Sequence, residues 1–83
     1  MPWIEVIWIR GPGGNVEHIA RHGVSVREVE QVLRNPVDTD VSESSGRPIA
    51  FGRTSKGRFL AVVYEQVDEV TVMPCTAYEI PEP

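Results

Sequence analysis

Residues 58–65, Arg58-Phe59-Leu60-Ala61-Val62-Val63-Tyr64-Glu65, hold the longest apolar run in the chain. Six consecutive apolar positions leave no polar face, which suits a strand covered on both sides in the middle of a sheet. The segments around it supply its neighbours. Thr54-Ser55-Lys56-Gly57 reads as a turn, and Pro48 to Gly52 before it as a partner strand. Beyond a break at Gln66 to Asp68, residues Glu69 to Tyr78 read as a last strand. Pro74 cannot donate to a ladder, so this strand lies at an edge or carries a bulge there. Upstream, Val37-Asp38-Thr39-Asp40-Val41 alternates with period two and predicts a strand with its acids outward. Ser42 to Gly46 is a polar turn.

Two short helices precede these strands. Ser25-Val26-Arg27-Glu28 is a capping box, in which a hydroxyl and a carboxylate satisfy the free amides of a helix start. The helix it opens runs from Val26 to Arg34, turns Val26, Val29, Val32 and Leu33 toward a core, and stops at Asn35-Pro36. Further upstream, Ile4 to Ile9 reads as a first strand ending in Gly11-Pro12-Gly13-Gly14. Asn15 is then expected to cap a helix that buries Val16, Ile19 and Ala20 and closes at Gly23, a natural left-handed cap. His18 and His22 fall on a separate strip of that helix. The expected architecture is a single α+β domain over residues 1–83, with two short N-terminal helices on one face of a four- to five-stranded, mainly antiparallel sheet.

Composition bounds the function. At 83 residues the chain is too short for a barrel enzyme, a kinase or a dinucleotide-spanning dehydrogenase. No apolar run approaches the roughly 18 residues of a membrane span, and the first residues reach Glu5 with no basic start, so a cytoplasmic location without a secretory signal is expected. Eight Lys and Arg against twelve Asp and Glu give a net charge of −4, which disfavours indiscriminate nucleic-acid binding. The charge is nevertheless unevenly spread. Residues 44–64 hold Arg47, Arg53, Lys56 and Arg58 and no acid, whereas residues 65–83 hold five acids and no base.

Few motifs carry chemistry. The Gly11–Asn15 loop lacks the Gly-Lys-Ser/Thr ending of a phosphate loop, and reads as a connection. His18 and His22 have the spacing of a two-histidine metal face, but Ile19 stands where a zincin carries glutamate and no third ligand is evident, so neither metal nor cofactor is expected. Cys75 has no charged neighbour and reads as a strand thiol. What remains is a composite of Arg21 and His22 at a helix end with Arg53, Lys56 and Arg58 around a hairpin. Metal-free RNA cleavage needs a base for the 2′-hydroxyl, a cation for the phosphorane and an acid for the leaving oxygen, and histidine, arginine and tyrosine supply them. Two hairpin arginines and a helix-end histidine are more often simply solvated.

The stretch Glu17-His18-Ile19-Ala20-Arg21-His22-Gly23-Val24-Ser25, the helix ending Asn35-Pro36, Phe51-Gly52-Arg53-Thr54 and Gly57-Arg58-Phe59-Leu60-Ala61-Val62-Val63-Tyr64 together resemble the BrnT-type toxins of bacterial type II toxin–antitoxin pairs. The resemblance spans about residues 15–78. It implies a RelE-like α+β fold, a ribonuclease that arrests translation by acting on RNA or the ribosome, and a small ribbon-helix-helix antitoxin as partner. The positions that match the family are Arg21, His22, Arg53, Arg58 and Tyr64, which makes His22, Arg53, Arg58 and Tyr64 the catalytic candidates and Arg21 a candidate for binding RNA phosphate; the cationic stretch adds Lys56 and Arg47 as further phosphate-binding candidates. One departure stands out: Tyr78 occupies the family's arginine position, and the helix that usually follows would come after Pro83. Tyr78, the acidic tail and Trp3 and Trp8, both expected to be exposed, motivate an alternative, a non-catalytic protein-interaction module derived from such a toxin. Self-association through the first strand would give a homodimer.

Overall fold

A computed structural model describes residues 5–82. In chain order its elements are β1 (Glu5–Val6), α1 (Asn15–Arg21), α2 (Val26–Arg34), β2 (Asp38–Val41), β3 (Pro48–Arg53), β4 (Phe59–Gln66) and β5 (Thr71–Glu79). The five strands form one sheet in the order β1-β5-β4-β3-β2. Three pairings are antiparallel and β1 lies parallel to β5, so the sheet is mixed. The α+β class follows from two helices on this sheet.

Strand β4 is central, and its first five residues are buried. Leu60 and Val62 meet Ile19, Val29, Val32, Ala50 and Ala77 in the main core. Helix α2 lies close on β3 because Gly52 leaves room. A methyl at that position would stand 3.2 Å from Val32 Cγ1 and 3.4 Å from its Cα. Apolar contact at this density is the dominant stabilising term for so small a chain. The alternate residues Ile49, Phe51, Phe59, Ala61 and Val63 occupy the opposite, helix-free face, as the pleat requires.

The capping box forms as its sequence predicts. Ser25 Oγ accepts from the Glu28 amide at 3.2 Å, and the Ser25 amide donates back to Glu28 Oε1 at 3.2 Å. At the end of α1 the expected glycine cap is a Schellman turn: the Gly23 amide donates to Ala20 at 2.9 Å and the Val24 amide to Ile19 at 3.1 Å, with Gly23 at φ +74°. Val24 is thereby drawn into the core.

Three expectations need correction, and a fourth is narrowed. Asn15 does not cap α1; Gly14 holds that position. The Asn15 side chain instead accepts from the Ile9 amide and donates to the carbonyls of Ile7 and Pro74, at 2.7, 2.9 and 3.0 Å. It ties the chain leaving β1 to β5, which is worth more here than a cap because those backbone groups lie beyond the sheet ladder. The first strand is shorter than expected, because the chain leaves the parallel ladder after the Ile7 amide bonds Val72. Ile4, with which it was expected to begin, lies outside the described residues, as does Trp3. Trp8 is half-buried and donates to Glu30 at 2.9 Å rather than standing free. The expectation for Pro74 holds in its second form, a bulge: Tyr64 faces Pro74 while Val63 faces Thr76, leaving Cys75 as the extra residue, on a strand that β1 covers only at Thr71 and Val72.

No described helix is long and apolar enough to cross a membrane.

Candidate functional site

The residues singled out by sequence go to four places. Arg58 lies half-buried on the helix side of the sheet. Its Nη1 donates to both oxygens of Glu28, at 2.9 and 3.0 Å, and to the Gly23 carbonyl at 2.9 Å, while Nε donates to Glu79 at 3.1 Å. Glu28 is only 4% exposed. Loss of hydration works against the Arg58 charge, yet the hydrogen bond and charge of Glu79 and the Glu28 carboxylate hold its guanidinium above the ordinary arginine value. Because Gly23 closes α1 and Glu28 opens α2, Arg58 fixes the angle between the two helices and anchors both to the sheet.

Arg53 lies on the opposite face. It pairs in register with Phe59, so its side chain shares the helix-free side, where it meets Glu82 in a half-exposed ion pair. Tyr64 stands at the far end of β4 on the helix side, lining a small pocket with Leu33, Pro36 and Val70. Six residues separate it from Arg58, about 20 Å at strand rise. Arg47 and Lys56 are exposed in the β2–β3 and β3–β4 turns. Arg21 is exposed and held by Glu17 at 2.7 Å. Arg53, Arg58 and Tyr64 therefore do not converge on one point.

His22 does meet partners, and they lie along the stretch of β5 where β1 has already diverged. Its ring centroid is 5.4 Å from that of His18, with the planes 64° apart, and 6.5 Å from that of Tyr78. His18 Nε2 in turn lies 3.1 Å from Thr76 Oγ1. Local structure explains the alignment. Four residues separate the histidines, one helical turn, so both rings leave α1 on the same strip. Thr76 and Tyr78 are two apart on β5, so both side chains leave that strand on one side. The result is an exposed edge of two imidazoles, a hydroxyl and a phenol. Two imidazoles with centroids 5.4 Å apart can divide the roles of proton acceptor and proton donor.

Sequence reasoning located His22, the spacing of the two histidines and Tyr78, but not Thr76. The signal for Thr76 was the two-residue spacing to Tyr78, masked by the bulge at Cys75. Nor did it find that Arg58 would be claimed by the glutamate of the capping box. Among the described residues no group of three or more His, Cys, Asp or Glu could hold a metal ion.

No protein-family model matches this chain, and neither curated proteins nor solved structures yield a similar one.

Proposed function

We propose that this chain is a BrnT-like toxin, RelE-like in architecture, which cleaves RNA without a metal ion and is neutralised by a small antitoxin of the ribbon-helix-helix type. The observation that carries the reading is the imidazole pair at 5.4 Å with Tyr78 beside it. In the proposed reaction one imidazole takes the proton of a ribose 2′-hydroxyl. The freed oxygen bonds to phosphorus, the bond to the 5′-oxygen breaks, and that oxygen receives a proton from the second imidazole or from the Tyr78 phenol. Arg53 shares the helix-free face, and its half-exposed bond to Glu82 can be exchanged for RNA phosphate. Arg58 is a positioning residue in this scheme: it holds the turn that carries His22.

The test is cleavage of a single-stranded RNA by the purified chain in excess chelator across pH 5–9. Activity that persists in chelator, follows a bell-shaped pH profile and falls at least a hundredfold in H22A is expected. An H18A/H22A double variant that cleaves as fast as the parent overturns the assignment.

A second reading, a non-catalytic interaction module, is favoured by a specific observation: Arg21, Arg53 and Arg58 each already sit on a carboxylate. Expression without growth arrest, together with stable co-purification of the product of the neighbouring gene, selects it over the enzyme.

A further inference from the structure

The helix-free face of the sheet holds a second feature, distinct from the histidine edge. Val37, Asp38, Asp40, Phe51, Phe59, Ile80 and Pro81 line an open groove of about 530 Å³. Register explains how it forms. Asp38 pairs with Phe51 and Asp40 with Ile49, so the two carboxylates stand on the same side of the sheet as an apolar floor. Val37 is 67% exposed at its rim. By register two arginines flank the aspartates on this face: Arg53, which is neutralised by Glu82, and the exposed Arg47 at the end of the β2–β3 turn, which makes no ion pair with either aspartate. Among the described residues neither Asp38 nor Asp40 has an ion-pair partner. The groove thus joins apolar surface to two uncompensated negative charges.

The outer edge of β2 narrows the choice of occupant. The amides of Thr39 and Val41 point away from β3, where an incoming strand would need them. Each is already donated to the preceding aspartate, at 2.9 Å to Asp38 Oδ1 and 2.8 Å to Asp40 Oδ1. Strand addition would have to break both bonds, so the edge is guarded and the groove face is left open. Side chains two apart in a strand are separated by about 6.6–6.8 Å, and side chains four apart on a helix by about 5–6 Å. Two aspartates at the first spacing match two lysines or arginines at the second.

We propose that this groove binds a basic amphipathic helix of a partner protein, with apolar side chains on Val37, Phe51 and Ile80 and an i,i+4 pair of Lys or Arg on Asp38 and Asp40. The inference stands independently of catalysis at the histidine edge.

The experiment is selection of a display library of 18-residue helical peptides against the full chain, followed by affinity measurement of the enriched peptides. Enriched peptides carry Lys or Arg at i,i+4 beside an apolar stripe, bind D38K/D40K at least tenfold more weakly, and weaken as salt is raised. The isosteric D38N/D40N variant keeps the amide-accepting oxygens, and so separates loss of charge from loss of fold; it is expected to bind several-fold more weakly than the parent with unchanged urea stability. In amide-resolved NMR, binding shifts residues 37–40, 51, 59 and 80. Acidic or uncharged winners, equal binding to D38K/D40K, or shifts confined to the histidine edge overturn the proposal. So does concentration-dependent dimerisation of the chain that shifts these same residues, which would make a second copy the occupant.

Discussion

Two polar clusters flank the turn between α1 and α2, and they use their charge in opposite ways. Arg58 makes four hydrogen bonds, all to groups of this chain, and holds a buried glutamate. His18, His22, Thr76 and Tyr78 touch one another by a single hydrogen bond and by ring contacts, and three of the four are exposed. The first cluster spends its directional bonding on assembling helices and sheet. The second leaves donors and acceptors for something outside. The contrast shows that a cation's sequence neighbourhood does not tell which role it plays: Arg58 sits in the same hairpin as Arg53 and Lys56, yet only Arg58 has a buried carboxylate within reach.

The sharpest way to break this comparison is R58A. It strands Glu28 without its cation, and the loss expected in urea unfolding is about 3 kcal/mol. A loss below about 1 kcal/mol would mean that the cluster is no more structural than the edge. E79Q refines the same point, because Glu79 is half-exposed; it should cost under about 1 kcal/mol. Next in size are the two ends of the turn. G23A forces a side chain into φ +74°, and S25A deletes one half of the capping box. Each should lower stability by about 1 kcal/mol, with coupling to R58A when combined, because all three act on the same helix junction. H18A and H22A come next and should move stability by no more than about 0.5 kcal/mol while removing the proposed RNA cleavage; an unfolding midpoint that drops together with that activity would place the histidines with Arg58 instead.

The smallest effect tests whether an exposed acid elsewhere behaves as either cluster does. The Val70 amide and the Thr71 side chain hold the Asp68 carboxyl below its ordinary value of 3.8. A carboxylate depressed in the folded state adds stability above that value and loses it as pH falls through the folded-state titration. Acid unfolding of D68N should therefore be slightly less steep below pH 3.8 than that of the parent, and identical slopes would show that the loop contributes nothing.

Much of the fold was legible because local rules and global packing agree. The capping box, the bounds of α2, the glycine stop after His22 and the buried central run of β4 all follow from residue spacing. What escaped was set by distant neighbours. Asn15 has the chemistry of a cap, but its amide is claimed by a carbonyl 59 residues away. Pro74 announces an edge or a bulge in β5 without saying which, and β1 returns to cover the start of that strand through a parallel pairing that no turn announces. The site was legible in parts: helix spacing aligned the two histidines, whereas the separation of Arg53 from Arg58 depends on strand parity. Neighbouring positions across a turn look close in sequence and emerge on opposite sides of a sheet.

The bulge at Cys75 gives β5 two phases. Before it Val72 and Pro74 are buried; after it Ala77 is, so that Thr76 and Tyr78 face outward. Uninterrupted alternation from Val72 would have sent Thr76 and Tyr78 inward with it. A relative built on a regular strand would hence superimpose on this one only when a one-residue gap is opened at Cys75. Aligned without that gap, its interior positions would be matched to the histidine edge, and the likeness of the two chains would vanish at the residues where it matters most.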